Sequence, residues 1–205
     1  MPILPQNFYN RSSLLVAQDL LGCFLVRKFS SDNHLSLAKG EVEKGLIKFK
    51  IVETEAYEGP NDLASHASRG RTPRNEPMFG SPGMTYVYFT YGMHYLLNIV
   101  TGKKNYPAAI LIRAVESIPF SKDIITSKLP TNGPAKLTKF LQINKALNNI
   151  PVYTKKHGLW IENRVEKIKP SQIVKATRVG IDYAGIYKNK KWRFYLKNNF
   201  FVSKK

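Results

Sequence analysis

The fold is decided by the stretch "IKFKIVETEAYEGPNDLASH", residues 47–66. Its first part, up to the glycine, is predicted to form a β-strand, in which successive side chains point to opposite faces. Ile51, Glu53, Glu55 and Tyr57 are then predicted to share one face, which carries two carboxylates and a phenol. The opposite face carries Val52, Thr54 and Ala56.

This stretch is also unusually acidic for its chain. Residues 51–66 contain four of the fourteen acidic residues and no Lys or Arg, whereas the whole chain has a formal net charge of +18. One interpretation is a solvated strand face. The other is a set of half-buried carboxylates, running into a loop that brings His66, of the kind used for acid–base chemistry at a glycosidic carbon. A solvated face on so basic a chain should carry lysines, which favours the second.

Length and charge limit the classes of protein that fit. A chain of 205 residues, 43% hydrophobic, predicts one folded domain over residues 1–205. Lys and Arg number 32 against 14 Asp and Glu. Such a balance attracts polyanions, chiefly nucleic acid or an anionic membrane surface. A lysine-rich surface with no partner is the alternative, and composition does not separate DNA from RNA.

Several classes are disfavoured by what the sequence lacks. It contains no run of about 18 apolar residues and no pattern of a signal peptide at its start, so we expect neither a membrane span nor export. Cys23, the one cysteine, lies in an apolar run and is predicted to be buried. The four histidines show no i, i+4 pair, and no Cys-x-x-Cys is present. We therefore expect no metal site.

The remaining pattern predicts a mixed α+β fold. It consists of a single domain with a curved, mostly antiparallel sheet flanked by helices and a protruding aromatic β-hairpin. Residues 30–46 are predicted to form a hairpin loop or insertion, and residues 59–83 a long irregular segment of the kind that is often functional. Helices are predicted at 12–22 and 133–143, and further strands at 23–29, 85–91, 94–100, 107–116, 158–162, 177–181 and 192–196.

Aromatic residues are concentrated in the predicted hairpin, with five in residues 86–95. Tyr86 and Tyr88 are predicted to share one face, and Val87, Phe89 and Tyr91 the other. Strand core accounts for Phe89. Tyr91 adjoins the turn, where an exposed aromatic suggests a wedge for a base step. Phenols facing the acidic strand suggest stacking walls for a flipped base.

Basic residues follow this pattern in three places. Arg69, Arg71 and Arg74 lie in the loop after His66 and belong either to a solvated loop or to a phosphate clamp. Arg113 stands in an apolar strand, so it is predicted either to be buried against a carboxylate, such as Glu116 or Glu55, or to reach a phosphate. Lys136 begins a predicted helix, which is either an anion site or a plain helix start.

Residues 51–100, with "LIRAVE", "GPAKL" and "RVGI…WRFYLKNNFFVSK", closely resemble the alkyladenine DNA glycosylase family, the 3-methyladenine DNA glycosylases of the human alkyladenine glycosylase type. The resemblance covers nearly the whole chain. It implies a monomeric, monofunctional enzyme that needs no cofactor and excises alkylated or deaminated purines from double-stranded DNA. A lysine-rich chain without targeting signals suggests the cytoplasm of a bacterium, with association to the nucleoid through DNA. Residues 31–46 look longer than the family's usual turn.

The same resemblance implies roles for individual residues. Glu55 corresponds to the general base that activates water, and Arg113 to the arginine that supports the site. The base pocket corresponds to Tyr57, His66, Tyr88 and Asn98, of which Asn98 discriminates against the exocyclic amine of guanine. Tyr91 corresponds to the intercalating residue, and the other implied DNA contacts are Arg71, Thr72, Arg74, Met93 and Lys136.

Two other classes stay open on the residues alone. One is a catalytically silent module that binds DNA or RNA. The other is a saccharide hydrolase that uses Glu53 and Glu55, whose Cβ atoms would lie roughly 7 Å apart on one strand face. The basic charge and the arginine loop favour a polynucleotide.

Overall fold

The computed structural model describes residues 1–29, 45–117 and 129–205. In these ranges the chain forms a mixed α+β single domain with one curved sheet and short helices, which confirms the predicted fold class. No helix there is long and apolar enough to cross a membrane. The elements are α1 (Gln6–Tyr9), α2 (Ser13–Asp19), β1 (Phe24–Lys28), β2 (Leu46–Glu58), β3 (Thr85–Thr90), β4 (His94–Val100), β5 (Ala108–Ser117), α3 (Pro134–Phe140), β6 (Leu159–Glu162), β7 (Ile173–Ala176) and β8 (Arg193–Leu196).

The sheet places β2 and β5 at its centre. Its order is β3-β4-β5-β2-β1-β6, β8 pairs with both β2 and β7, and every pairing is antiparallel. The long strand β2 therefore touches three neighbours, and its side chains reach both the main core and the functional site.

An irregularity in β2 separates these two parts. Its pairing with β5 passes from Ile51–Val115 to Glu53–Ala114 and then to Thr54–Ile112. The predicted alternation is interrupted there, because a bulge breaks the two-residue period. Ile51 packs in the main hydrophobic core instead of continuing the carboxylate face.

Helix α2 packs on the opposite side of β2 from Glu53 and Glu55. The Ser12 hydroxyl accepts a hydrogen bond from the Leu14 N–H and caps the helix. The Thr54 hydroxyl donates to the Ala17 carbonyl at 2.9 Å. Gly22, at φ +82°, follows the helix, and Cys23 is buried as predicted.

The prediction of a strand at residues 177–181 is wrong. Strand β7 ends at Ala176. Beyond it the Val179 N–H bonds a glutamate side chain rather than a neighbouring strand, and Gly180 has φ +74°. The other predicted helices and strands are present with small shifts at their ends. The loop or insertion predicted at 30–46 lies outside the described residues, apart from its last two.

Candidate active site

A cavity of about 220 Å³ opens beside the β3–β4 hairpin. It is lined by the end of β2 and the loop after it, the β3–β4 hairpin, β5, the start of α3 and the segment after β7. Residues far apart in sequence are thus brought together at one site. The sequence-predicted residues among its lining side chains are Tyr57, His66, Tyr88, Tyr91, Asn98 and Arg113.

Glu55 is fully buried behind the wall of this cavity. Its Oε1 accepts a hydrogen bond from the Val179 N–H at 2.8 Å, and its Oε2 accepts one from the Tyr57 hydroxyl at 3.0 Å. The Arg113 Nη1 lies 3.4 Å from Oε2. All three partner residues line the cavity. Burial raises the pKa of the Glu55 carboxyl above its ordinary value, and the Arg113 charge and the two hydrogen bonds offset this only in part.

Aromatic rings form the wall nearest the hairpin. The His66 ring meets Tyr88 edge-on, with centroids 4.5 Å apart, and its Nδ1 lies 3.0 Å from the Tyr86 hydroxyl. Burial, together with the nearby Arg74, lowers the pKa of His66, so the ring is neutral at pH 7. The Asn75 side chain fixes this loop by donating to the carbonyls of His66 and Gly70.

The Tyr57 ring, which lines another part of the cavity, packs against a buried ion pair that was not predicted from the sequence. The Arg178 guanidinium lies 4.7 Å from the centre of the Tyr57 ring. It donates two hydrogen bonds to Asp62, at 2.6 and 2.7 Å, and a third to the Ala56 carbonyl. Both charged side chains are fully buried. Asp62 belongs to the lysine-free acidic stretch, which was the one available signal.

The other carboxylates of that stretch are also engaged. Glu53 is fully buried and accepts hydrogen bonds from Arg113, Arg193 and the Ser203 N–H. Glu58 accepts from the N–H and hydroxyl of Ser13 at the start of α2, where a negative charge is favoured. The interpretation as a solvated strand face is therefore wrong.

The structure shows which carboxylates Arg113 is buried against. Its guanidinium contacts Glu55, as one alternative had it, and Glu53 as well. Glu116, the other carboxylate considered, instead pairs with Lys50 at 2.9 Å. A saccharide hydrolase that uses Glu53 is disfavoured, because that carboxylate is saturated by buried donors.

Asn98 is nearly buried in the cavity wall, with an exposed fraction of 4%. Its Nδ2 donates to the Tyr86 carbonyl at 3.1 Å across the hairpin. This bond fixes the orientation of the amide, so the side chain is a rigid part of the wall.

The hairpin tip differs from the predicted alternation. Tyr91 and Gly92 both have positive φ, +51° and +66°, and the Met93 N–H donates to the Thr90 carbonyl. This is the geometry of a tight hairpin turn. It carries Tyr91 to the cavity, whereas the strand period had placed Tyr91 on the side of Phe89. Phe89, expected in the core, is 47% exposed and packs on Tyr95.

Exposed residues at the tip and in the arginine loop have varied local partners. Tyr91 is 86% exposed and Met93 70%. Arg74 donates to the Phe89 carbonyl and so ties the loop to the hairpin. The remaining predicted DNA contacts, Arg71, Thr72 and Lys136, are exposed and contact Glu76, Asn75 and Asn132, respectively.

Comparison of the sequence with known proteins assigns the chain to a family. The sequence model described as "Methylpurine-DNA glycosylase (MPG)" matches residues 7–200. The chain belongs to the methylpurine-DNA glycosylase family. The family predicted from the sequence is thereby confirmed, and the chain is a DNA glycosylase, a hydrolase of N-glycosyl bonds.

Relatives of this glycosylase match over their full length. It is 47% identical over 210 residues to a protein of Carboxydothermus hydrogenoformans, covering 99% of this chain and 100% of the relative. It is 44% identical over 213 residues to one of Methanocella arvoryzae, covering 100% and 98%. It is 40% identical over 206 residues to one of Bdellovibrio bacteriovorus, covering 99% and 100%. All three carry the name "Putative 3-methyladenine DNA glycosylase".

Sequence reasoning missed two further parts of the candidate site. Val179 supplies a backbone donor to Glu55, which no side-chain pattern can indicate. Tyr183 lines the cavity mouth and is 70% exposed. Across the described ranges, no group of three or more His, Cys, Asp or Glu side chains is arranged to hold a metal ion.

Proposed function

We propose that this glycosylase acts as a monomer on double-stranded DNA of the nucleoid. It takes a damaged purine, 3-methyladenine or another alkylated or deaminated base, into the cavity and hydrolyses the N-glycosidic bond with water activated by Glu55. The observation that carries this proposal is a buried carboxylate of raised pKa, held by fixed donors directly behind an aromatic-lined cavity. A general base is most effective when its pKa lies near the working pH, and the raised pKa of Glu55 moves it in that direction.

The cavity suits a flat and positively charged base. Tyr57, His66 and Tyr88 offer aromatic surfaces, and a cation is attracted to such faces by about 0.5–2 kcal/mol. The neutral state of His66 adds no positive charge that would repel the base. Asn98 discriminates against guanine because its fixed amide cannot move away from an additional exocyclic amine.

In the chemical step, Glu55 accepts a proton from a water molecule whose oxygen attacks C1′ of the sugar. The C1′–N bond breaks, and its electron pair leaves with the base, which neutralises a cationic purine. Arg113 holds the carboxylate in place from 3.4 Å. Among the described residues no lysine lines the cavity, so we expect no Schiff base and no strand cleavage.

The pKa of Glu55 makes the reaction pH-dependent. Since the carboxylate must be ionised to accept a proton, we expect the excision rate to fall as the pH is lowered through a pKa above the ordinary range of glutamate. Single-turnover base release from methylated duplex DNA, measured across pH, checks this. A rate that stays constant down to pH values at which an ordinary glutamate is protonated would contradict it.

Tyr91 is proposed to enter the base stack in place of the flipped nucleotide. Tyr91 has a positive φ, which is a strained backbone conformation for a residue other than glycine, and its exposed ring lies at the mouth of the cavity. We expect Tyr91→Ala to weaken capture of the flipped base, measured as a smaller fluorescence change from a base analogue in duplex DNA. Phe200→Ala, at an aromatic 90% exposed that does not line the cavity, is the control. Equal signals from Tyr91→Ala and wild type would reject the wedge.

A duplex oligonucleotide with one damaged purine tests the monofunctional reaction. We expect the labelled strand to stay intact after incubation with the enzyme and to break only after alkali treatment, which cleaves at an abasic site. Strand breaks without alkali would contradict hydrolysis by water. The absence of breaks after alkali, with DNA binding retained, would favour the catalytically silent binding module.

A further inference from the structure

Behind Glu55 lies a second buried carboxylate that the proposed reaction does not use. Glu53 is held by three donors: Arg113 Nε at 3.2 Å, Arg193 Nη1 at 2.9 Å and the Ser203 N–H at 2.7 Å. Strands β2, β5 and β8 and the segment after β8 thus converge on it. Removing a carboxylate this completely from water costs free energy, unless its interactions with the buried cations around it compensate for the lost hydration.

Arg113 divides its guanidinium among several partners. Its Nε donates to Glu53, and its Nη2 donates to the Ser203 hydroxyl, both at 3.2 Å. The remaining nitrogen, Nη1, is 3.4 Å from Glu55. The contact with Glu55 is therefore the longest of the three, and the guanidinium does not form a two-bond fork on that carboxylate.

We propose that Glu53 is a positioning residue, which together with Ser203 holds Arg113 in an orientation that leaves the Glu55 carboxylate only partly paired and able to accept a proton from water. This inference rests on the proposed role of Glu55 as the base. It gives a function to the glutamate that the proposed reaction leaves unassigned.

The charged and polar groups that face Glu55 support this sharing of the Arg113 guanidinium between Glu53 and Glu55. Arg113 approaches from β5, Glu53 and the Tyr57 hydroxyl belong to β2, and Tyr88 approaches from β3. The negative charge of Glu53 raises the pKa of Glu55, whereas Arg113 lowers it. Arg193, opposite Glu55 in the β2–β8 pairing, directs its charge to Glu53 and to the carbonyls of Thr177 and Lys204.

Removing the charge of Glu53 should change both the pairing and the base strength. In Glu53→Gln the shape is retained, but Arg113 and Arg193 lose their shared anion. Arg113 then turns its charge more fully to Glu55, which lowers the pKa of Glu55 and makes it a weaker base. We expect single-turnover excision to slow by roughly tenfold and the acid limb of the pH–rate profile to move to lower pH.

The experiment compares four variants with wild type: Glu53→Gln, Glu162→Gln, Ser203→Ala and Ser203→Thr. Excision is followed across pH, binding is measured with duplex DNA that contains an abasic-site analogue, and thermal unfolding reports stability. Glu162→Gln is the matched control, because Glu162 is also a buried carboxylate with a lysine partner, Lys48, but lies on β6 outside the cavity lining. It should lower the melting temperature and leave the acid limb in place.

Ser203→Ala keeps the test decisive if Glu53→Gln does not fold. It removes only the hydroxyl that holds Arg113 Nη2, so we expect a smaller shift of the acid limb in the same direction. Ser203→Thr retains the hydroxyl and should restore the wild-type profile. Abasic-site binding should be unchanged in every variant, since none of these residues lines the cavity.

An acid limb that stays in place, or moves to higher pH, in folded Glu53→Gln or in Ser203→Ala would overturn the proposal and leave Glu53 a purely structural role. Failure of the proposed function would look different. In that case wild type would release no base, or Glu55→Gln would retain excision.

Discussion

Replacing Glu55 by Gln is expected to slow base excision by a factor of roughly 10²–10⁴, the usual contribution of general acid–base catalysis. The amide keeps one oxygen that can accept the Val179 N–H, so the cavity should keep its shape. It cannot take a proton from water. Single-turnover base release measures the effect, and binding to duplex DNA with an abasic-site analogue should be unchanged.

The stability of the same variant gives a control on the environment of Glu55. The folded-state pKa is raised, so ionisation of Glu55 favours the unfolded chain. As the pH rises from the ordinary glutamate pKa to the raised one, wild type should lose stability that Glu55→Gln does not lose. Urea unfolding at several pH values tests this. Wild-type excision rates in Glu55→Gln would remove Glu55 as the base.

The second large effect is expected from Asp62→Ala. It leaves the fully buried Arg178 guanidinium without its carboxylate, and breaking a buried pair from one side costs about 3–5 kcal/mol. Because Arg178 also lies over the Tyr57 ring, excision should fall together with the free energy of unfolding. Urea denaturation with a fixed m-value measures the loss.

Glu76→Ala is the matched control for that prediction. Glu76 also receives two hydrogen bonds from an arginine, Arg71, but the pair is exposed and screened by water. Its removal should leave the free energy of unfolding unchanged within error. An Asp62→Ala variant as stable as Glu76→Ala would show that the buried pair does not support the fold.

Local pattern was sufficient to predict the part of the site that lies on β2 and β3. The two-residue period of a strand places Glu55 beside Tyr57 and Tyr86 beside Tyr88, and the structure brings these side chains to one cavity or directly behind it. Absence of lysine from the acidic stretch indicated burial, which Glu53, Glu55 and Asp62 all show. The specific roles of these residues in catalysis stay predictions.

Partners far along the chain could not be predicted in the same way. Arg178 meets Asp62 across 116 residues, and the Ser203 N–H meets Glu53 across 150. Such contacts depend on how the sheet curves, which no local period encodes. The strand expected at residues 177–181 is absent because backbone groups of this segment bond side chains instead of another strand: the Val179 N–H donates to Glu55, and the Thr177 carbonyl accepts from Arg193.

Backbone conformation accounts for the error at the hairpin tip. A strand period assumes extended residues, but Tyr91 and Gly92 both have positive φ. The turn therefore redirects the Tyr91 side chain to the cavity. A tyrosine before a glycine does not by itself reveal such a turn, because left-handed conformations are uncommon outside glycine, asparagine and aspartate.

The central claim is that Glu55, behind this cavity, activates the water that releases a damaged purine. Its most direct test is chromatography of the free bases released from methylated duplex DNA by purified wild type and Glu55→Gln. The account predicts 3-methyladenine in the wild-type reaction and almost none with the variant, although both proteins bind the DNA. Equal release by the two proteins, or no release by wild type, would contradict it.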